Sequence, residues 1–259
     1  MQNSWWVNYH QILMVNWNLL IINGSSHLID LDLEIIEIKN FGRFPSSILQ
    51  DYSREEEFEI LGRKCKLVKY VLSDLQSNIK RGPQIISPKD IAWIIYKSGL
   101  STGDTVVEAG SGSAALTLAL AQSVAPKGKV ITFETNSRHF KISKRNIQMS
   151  PWSNLVDIRN DELNDQIKPI KTSSVILDLP NPWEFVKWSQ SSLRIGGFMI
   201  CYLPTVNQVQ NLLNSLGGWK EVETIEIIQR SWQAKSEVLR PHSNMLGHTG
   251  FIVSARWNG

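Results

Sequence analysis

A single acid ends an apolar run in residues 175–185, VILDLPNPWEF. Three apolar residues lead to Asp178, and Pro180 and Pro182 follow it within four residues. An ionised carboxylate needs water, a partner or a ligand, so Asp178 either holds this turn together or faces a site. The prolines restrict the loop, and Asn181 before Pro182 is typical of the start of a helix.

A glycine-rich turn lies upstream, in VVEAGSGSAALTLALA. Gly110 and Gly112 allow a tight turn and a close approach to the backbone at a helix N-terminus. Glu134 ends the next predicted strand, KVITFE, where an acid can accept hydrogen bonds from both ribose hydroxyls of an adenosine-type cofactor. Glu108 completes an ExGxG pattern. An acid there disfavours a pyrophosphate, and hence a nicotinamide dehydrogenase. It suits S-adenosylmethionine (SAM), which ends in an ammonium and a sulfonium.

Two more side chains extend this pattern. Asp161 follows the third predicted strand, LVDIRND, where an acid can meet an adenine amino group, although alone it is typical of a surface loop. His139 lies in the first turn of the helix after Glu134, where an isolated histidine is more often structural. The other acids also have structural alternatives, since Glu134 suits a solvated helix cap and Asp178 a turn cap. Taken together with the glycine turn, the acids favour a cofactor site.

These side chains need strands that end at one edge of a sheet. SPKDIAWIIYKSGL predicts a helix with Ser87 as N-cap, Pro88 at the first position and Gly99 at the end. Strands and helices then alternate, which indicates an α/β fold with a mainly parallel sheet and helices on both faces. The last two segments, WKEVETIEIIQRSWQ and HTGFIVSARW, have no helix between them and predict an antiparallel hairpin at the sheet edge.

The N-terminal part reads as short strands. Asn23-Gly24 between apolar segments is a strong hairpin signal, and residues 60–72 alternate well enough for another strand. Residues 41–58 predict loop or edge. We therefore predict a small β-rich domain over residues 1–80 and a catalytic domain over residues 81–259. Met14 is a candidate alternative start, because the first hairpin begins just after it.

Composition narrows the class of protein. The chain has 259 residues, of which 42% are hydrophobic, and a net charge of +3 that does not demand a nucleic-acid partner. Cys65 and Cys201 form no CxxC pair, which argues against a disulfide scaffold and a zinc site, and we expect no metal. The apolar run over residues 12–22 is too short and too polar to span a membrane, so we predict a soluble, cytoplasmic protein.

Five motifs carry a resemblance to a known family: RGPQIISPKD, EAGSGSAALT, LDLPNPWE, YLPTVNQV and GHTGFIVSARW. From about Leu67 to the C-terminus, the chain resembles the tRNA (adenine-N1) methyltransferases that act on the T-loop, at tRNA position 58 and in some archaea also its neighbour. The resemblance implies a Rossmann-like class I SAM-dependent methyltransferase fold with a small N-terminal β-rich domain. It also implies tRNA as partner, and either a homo-oligomer, usually a tetramer, or pairing with a homologous subunit.

The resemblance also implies roles for particular residues. Glu134 would hold the ribose, His139 would make a further contact, and Asp161 would approach the adenine. Asp178 would be the catalytic acid, beside the cofactor, and would accept a hydrogen bond from the N6 amino group of the target base. The methionine end of SAM would lie against the stretch from Gly110 to Leu116, with Gly110, Gly112, Ser113, Ala114, Ala115 and Leu116 as the candidate cofactor-binding residues.

Basic residues near the motifs are candidates for phosphate contact, although each alone is more often a solvated surface charge: Lys80, Arg81, Lys89, Arg240 and Arg256. His248 and Thr249 either face the site or have a structural role.

Three positions depart from the family pattern. Ala114 replaces the third loop glycine, and Asn136 replaces a basic residue that often follows the ribose acid. Ser87 replaces an aromatic near the target base, and because base–aromatic stacking contributes about 1–3 kcal/mol, its loss could weaken positioning of the base.

The departures leave a second hypothesis open, a homologous subunit that binds tRNA and pairs with an active methyltransferase but has little catalysis of its own. A third, the same fold acting on a protein carboxylate or a corrinoid precursor, is disfavoured by LDLPNPW and GHTGF.

Overall fold

The computed structural model describes residues 16–51, 56–164 and 166–259. Met14, the thirteen residues before it and the start of the apolar run over residues 12–22 lie outside the described residues.

The N-terminal part is a small antiparallel β structure. β1, β2, β5 and β6 form a four-stranded sheet in the order β2-β1-β6-β5, and β3 and β4 pair only with each other. Alternate residues of these strands point into one core that includes Leu20, Phe44 and Leu67. The strand bounds are β1 Trp17–Ile22, β2 Ser25–Asp30, β3 Ile35–Ile38, β4 Gly42–Pro45, β5 Glu57–Ile60 and β6 Arg63–Val68, with a 3₁₀ helix at Ser46–Asp51.

The remainder of the chain is built on a seven-stranded sheet in the order β12-β15-β11-β10-β7-β8-β9. The five neighbouring strands β11, β10, β7, β8 and β9 run parallel to one another, and β15 is antiparallel to both of its neighbours. This arrangement confirms the predicted α/β fold with a mainly parallel sheet. The bounds are β7 Thr105–Ala109, β8 Lys129–Phe133, β9 Val156–Arg159, β10 Thr172–Leu177, β11 Leu193–Leu203, β12 Lys220–Glu226 and β15 Phe251–Arg256.

Helices cover both faces of this sheet. On one face, Leu75, Ile94 and Leu118 of three different helices pack with the strands in one core. On the other face, Trp188 and Leu212 belong to a second core. The helices are α1 Leu72–Asn78, α2 Pro88–Ser98, α3 Ala115–Val124, α4 Ser137–Gln148, α5 Val186–Ser192 and α6 Val206–Ser215. Because α1 contacts both β2 and α3, it links the two parts, and the domain boundary at residue 80 stays a prediction.

The last two segments pair as an antiparallel edge, but they do not form a simple hairpin. β12 ends at Glu226 because its partner β15 begins at Phe251, directly opposite, so IIQRSWQ has no strand beside it in the sheet. Residues 227–250, which we call the arm, contain the short pair β13 Trp232–Gln233 and β14 Arg240–Pro241. Several large apolar side chains of the arm are exposed: Ile228, Trp232, Leu239, Met245 and Leu246.

Within the three described ranges, no helix is long and apolar enough to cross a membrane. The same residues contain no cluster of three His, Cys, Asp or Glu side chains that could hold a metal ion. Cys65 and Cys201 are both buried and free.

Two turns of the N-terminal sheet have the same geometry but different sequences. Asn23-Gly24 joins β1 to β2, and Leu61-Gly62 joins β5 to β6, each as a two-residue loop. All four residues have positive φ, with Asn23 at 46° and Leu61 at 50°. This backbone is typical of a type I′ turn, which favours Asn-Gly. Leu61 is 60% exposed, so packing does not explain why leucine occupies this turn.

We expect Leu61→Asn to raise the free energy of unfolding by about 0.5–1 kcal/mol, because the left-handed conformation costs a residue with a Cβ about 1–2 kcal/mol and asparagine tolerates it better. Urea denaturation followed by tryptophan fluorescence and circular dichroism measures the change. The matched change Asn23→Leu should lower stability by a similar amount. A neutral Leu61→Asn beside a destabilising Asn23→Leu would contradict the turn argument.

Candidate active site

A cavity of about 360 Å³ lies at the carboxyl ends of β7, β8 and β10. Ligands of α/β proteins bind at this edge of a parallel sheet, where loops diverge from neighbouring strands. The predicted site residues that line the cavity are Gly110, Gly112, Ser113, Ala115, Leu116, Glu134, His139, Asp161 and Asp178. Ala114 is fully buried and is not part of the cavity wall.

Gly110 and Asp178 lie in contact where β7 and β10 end. The amide of Asp178 donates a hydrogen bond to the carbonyl of Ala109 at 2.9 Å. A Cβ at Gly110 would lie 2.3 Å from the carbonyl oxygen of Asp178 and 3.3 Å from its Cβ, and Gly110 has a φ of +93°. Only glycine combines this backbone conformation with so close an approach.

The carboxylate of Asp178 points to the site interpretation rather than to a turn cap. Among the described residues it has no hydrogen-bond partner, and it lines the cavity. Burial raises the pKa of Asp178 to about 7, and the negative charge of Glu134 adds to the shift. Asn181 and Pro182 do begin the next helical turn, but the Asn181 side chain makes no capping hydrogen bond.

Glu134 is held at the end of β8 by backbone amides. Its Oε2 accepts from Gly112 N at 2.9 Å and its Oε1 accepts from Asn136 N at 3.0 Å. Asn136, not Glu134, caps α4, because its side chain accepts from the amides of Arg138 and His139. The residue that replaces a basic side chain in the family pattern therefore has a structural use here. His139 Nδ1 lies 3.9 Å from Glu134 Oε1.

Asp161 lies in the loop after β9 and lines the same cavity. It is exposed, and its Oδ1 accepts a hydrogen bond from the amide of Glu162 at 2.8 Å. The second oxygen makes no hydrogen bond to the described residues, so the side chain can meet a ligand.

Ser111 also lines the cavity, inside the stretch from Gly110 to Leu116 that the resemblance places against the methionine end. Its hydroxyl is buried and has no hydrogen-bond partner among the described residues. Such groups usually find a partner, so a ligand is a candidate partner for this hydroxyl.

Ala114 starts α3 in the left-handed conformation, with a φ of +64°. This is the backbone that a glycine adopts freely, so the replacement of the family's third glycine places strain in the turn. The methyl group itself is accommodated, because Ala114 is fully buried. Because one added methyl group can often fit where a helix packs on a strand, we expect cofactor binding to survive this replacement.

Glu108 does not line the cavity, which corrects the idea that this acid faces the cofactor's charged end. It is 1% exposed and lies beneath α3, where Thr117 Oγ1 donates to Glu108 Oε2 at 2.6 Å. Burial raises the pKa of Glu108 to about 7. The acid therefore connects β7 to α3 from within the core, since alternate residues of a strand face opposite sides of the sheet.

Residues 80–86, which we call the strap, form an unpredicted wall of the site. Pro83, Gln84, Ile85 and Ile86 line the cavity. The motif RGPQIIS contributed to the family resemblance, but its residues did not predict where the segment lies in the fold. The strap has no regular secondary structure.

A buried polar network lies beside the strap and includes Lys89 and Thr249, whose roles the sequence left open. Asp90 is fully buried and accepts from Ser87 Oγ at 2.9 Å and from Thr249 Oγ1 at 2.7 Å. Lys89 Nζ lies 2.7 Å from Asp90 Oδ1 and donates to Thr249 Oγ1 at 2.6 Å. Lys89 is thus held by this network rather than free for a phosphate. Thr249, at the end of the arm, joins the arm to α2. Tyr202 donates to the carbonyl of Thr249 at 2.7 Å.

His248 also has a structural place. Its Nδ1 pairs with Glu226, and its Nε2 lies 3.0 Å from the carbonyl oxygen of Pro204. Because both partners are acceptors, the contacts are satisfied together only by the protonated ring, and the pKa of His248 is raised chiefly by Glu226. Arg256 packs over Phe198 and pairs with Glu221 at 3.3 Å. Arg240 is exposed in the arm, away from the residues that line the cavity.

Comparison with known proteins gives consistent matches. The family described as tRNA methyltransferase complex GCD14 subunit matches residues 75–249. The chain is 30% identical over 223 residues to the tRNA (adenine(57)-N(1)/adenine(58)-N(1))-methyltransferase TrmI of Methanocaldococcus jannaschii, covering 75% of this chain and 79% of that protein.

Solved structures agree with the fold along almost the whole chain. A SAM-dependent O-methyltransferase from Thermotoga maritima superposes with a TM-score of 0.81 at 26% identity, covering 94% of this chain and 93% of that one. The tRNA (m1A58) methyltransferase TrmI from Aquifex aeolicus superposes with a TM-score of 0.72, also at 26% identity, covering 93% and 96%. The Rossmann-like methyltransferase fold is therefore confirmed.

We expect Gly110→Ala to weaken SAM binding at least tenfold, because the added methyl group would displace the backbone of Asp178 and with it the glycine turn. Isothermal titration calorimetry of the purified chain measures the effect. Gly103→Ala is the matched control, since Gly103 has a similar φ of +90° but no atom within 4 Å of an added Cβ. Equal losses in both variants would show that backbone strain alone is responsible, against the proposed clash with Asp178.

Proposed function

The chain belongs to the tRNA methyltransferase complex GCD14 subunit family, and on that premise we propose that it transfers a methyl group from SAM to N1 of adenine in the tRNA T-loop. The target is position 58, with position 57 as a second candidate because the Methanocaldococcus relative is named for both. The observation that carries the proposal is the carboxylate of Asp178, which has no hydrogen-bond partner among the described residues and lies in one cavity with Glu134, Asp161 and the glycine turn.

The cavity wall fits SAM. The turn at Gly110 and Gly112 brings backbone close to the ligand, and the free hydroxyl of Ser111 is available to the methionine end. Each oxygen of Glu134 accepts one backbone bond and keeps a lone pair for a ribose hydroxyl. The exposed carboxylate of Asp161 is available to the adenine amino group. SAM supplies a methyl group on a positively charged sulfur, which needs no activation by an acid or a base.

Asp178 is assigned the role of hydrogen-bond acceptor for the N6 amino group of the target base. N1 of adenine attacks with its own lone pair, so the protein contributes mainly orientation and electrostatics. As the methyl group arrives, the ring gains positive charge, and a hydrogen bond to a carboxylate strengthens. That interaction stabilises the transition state more than the bound substrate. The same carboxylate can take up a proton from the amino group.

tRNA is the proposed partner, and its T-loop base must leave its tertiary contact before N1 is accessible. Lys80 and Arg81 begin the strap and are exposed. In the described ranges neither has an ion-pair partner. They are therefore the cations next to the cavity wall that suit phosphate contacts.

Self-association is also proposed, as a homo-oligomer such as a tetramer or as a pair with a homologous subunit. The exposed apolar side chains of the arm support it, because several large apolar side chains exposed in one segment favour an interface. The family description names a subunit of a complex, which agrees with an assembled enzyme.

The alternative of a weakly active subunit is motivated by Ser87, by Ala114 and by the weak N-terminal match to the family, whereas the intact Glu134 and Asp178 argue against it. The Ser87 hydroxyl donates to Asp90, so the position offers no aromatic face to the base. Measurement of methyl transfer by the chain alone separates this alternative from an independent enzyme.

We expect the purified chain to transfer labelled methyl groups from SAM to a tRNA transcript as 1-methyladenosine, mapped by nuclease digestion and mass spectrometry. Asp178→Asn should lower kcat by about 100-fold or more, because an amide cannot respond to the developing positive charge as a carboxylate does. SAM binding should change only a few-fold. Transfer at the wild-type rate by Asp178→Asn would contradict the role of the acid. Transfer that appears only with a second subunit would favour the alternative.

The same acid should shape the pH profile. Because burial raises the pKa of Asp178 to about 7 from 3.8, the side chain is neutral at acidic pH and becomes a negatively charged acceptor as the pH rises. At limiting substrate, kcat/KM should therefore rise with pH and level off above about 7. Glu108 has a pKa raised to about the same value, so Glu108→Gln is the control. The rise should persist in Glu108→Gln and vanish in Asp178→Asn.

We expect Leu239→Glu combined with Leu246→Glu to reduce the assembly to smaller species, because charged side chains cannot be buried in an apolar interface without a large cost. Light scattering coupled to size-exclusion chromatography measures the mass. Ile195→Glu is the control, since Ile195 is also a large exposed apolar residue, at 75% exposure, but lies outside the arm. If the wild-type chain is an oligomer and the double variant has the same mass, the interface lies outside the arm.

A further inference from the structure

The strap is positioned by side chains rather than by backbone pairing. Within the described part of the chain, residues 80–86 make no backbone–backbone hydrogen bond. Residues 83–86 separate the cofactor cavity from a second cavity of about 500 Å³, and they line both. The position of the strap therefore decides the shape of both cavities.

Asn146, on α4, makes the contacts that hold the start of the strap. It is fully buried. Its amide oxygen accepts from Lys80 N at 3.0 Å, and its amide nitrogen donates to Lys80 O at 2.9 Å. The same nitrogen donates to Ser113 O at 3.0 Å. One side chain thus bonds both the strap and the glycine turn of the cofactor cavity.

The donor and acceptor pattern at this position requires an amide. Asn146 faces one N–H group and two carbonyl oxygens, and the opposite orientation would set its oxygen against both carbonyls. An ionised aspartate would meet the same two carbonyls with no proton to donate. A leucine of similar size would leave three buried backbone groups without partners, which is costly.

Neighbouring contacts reinforce the same junction. Ser113 Oγ accepts a hydrogen bond from Gly82 N at 3.1 Å. A Cβ at Gly82 would lie 2.8 Å from Ile142 Cδ1, so the strap packs closely on α4. His139, Ile142 and Asn146 are spaced to share one face of α4, and His139 lines the cofactor cavity. α4 therefore contacts the strap, the glycine turn and the cavity together.

We propose that Asn146 is a positioning residue that holds the strap against the glycine turn and thereby couples SAM binding to tRNA binding. This inference rests on the proposed function. A phosphate held by Lys80 or Arg81 acts on the Lys80 backbone that Asn146 holds by hydrogen bonds. SAM contacts the glycine turn, whose Ser113 carbonyl accepts a hydrogen bond from the same Asn146 side chain. Coupling of this kind is reciprocal, so tRNA should change the affinity for SAM by the same factor as SAM changes the affinity for tRNA.

The test compares SAM dissociation constants with and without a tRNA transcript, by calorimetry, in the wild-type chain and in Asn146→Leu. We expect tRNA to tighten SAM binding at least threefold in the wild type. In Asn146→Leu, Kd for SAM should rise about tenfold and become independent of tRNA, because three hydrogen bonds at one junction are lost. Ser143→Ala is the control, because the Ser143 hydroxyl lies on the same helix, is buried and has no hydrogen-bond partner in the described part of the chain. It should leave both quantities unchanged.

A second variant separates positioning from packing. Asn146→Asp keeps the acceptor for Lys80 N, and only its protonated form can donate to one of the two carbonyls. Its defect in SAM binding should therefore shrink as the pH is lowered from about 8 to 6, relative to the wild type. The defect of Asn146→Leu should show no such change. Circular dichroism confirms that each variant is folded.

Two results would overturn the proposal. One is a lower melting temperature in Asn146→Leu with unchanged SAM affinity, which would make the residue merely structural. The other is a wild-type chain that binds SAM and tRNA independently. A wild-type chain that binds SAM but does not bind or methylate tRNA would instead reject the proposed function. The SAM measurements would still test whether Asn146 positions the strap and the glycine turn.

Discussion

The site depends on the contact between Gly110 and Asp178. β7 and β10 are neighbours in the sheet, with Ala109 paired to Leu177, so the residues that follow both strands must leave at the same point. A Cβ at Gly110 would meet the backbone of Asp178 at 2.3 Å. The absence of that one carbon lets the cofactor turn and the acid share a single cavity. A site assembled in this way needs no movement of the backbone to bring its parts together.

Three acids near this point meet different environments, and their chemistry differs accordingly. Glu134 accepts hydrogen bonds from two backbone amides, and each of its oxygens keeps a lone pair for a further donor. Glu108 is inside the core beneath α3, and burial raises its pKa to about 7. Asp178 also has a pKa raised to about 7 by burial and by Glu134, but it faces the cavity. Among the three, only Asp178 combines a place in the cavity wall with a carboxylate that has no hydrogen-bond partner among the described residues, which supports its assignment.

The segments around the cavity are held by side-chain networks rather than by extension of the sheet. Asn146 holds the strap from one side, and Asp90 joins α2 to Thr249 of the arm. His248 holds that segment to Pro204 and Glu226. The buried members, Asn146 and Asp90, are costly unless every partner is present. They therefore fix the positions of segments that have little regular structure of their own.

The architecture and the glycines and acids of the cavity wall follow from the amino-acid sequence alone, whereas the wall formed by the strap does not. Alternating strands and helices require a parallel sheet, and residues that end its strands must meet at one edge, which is why Gly110, Glu134, Asp161 and Asp178 can be grouped from sequence. The places of Glu108 and Asn146, in contrast, depend on how the chain folds. Glu108 is next to the glycines in sequence, yet the alternation of the strand turns it into the core. Asn146 is distant from the strap and has an ordinary place in an amphipathic helix. Its role exists only because folding brings Lys80 and Ser113 to the same amide, and no local pattern records such a long-range contact.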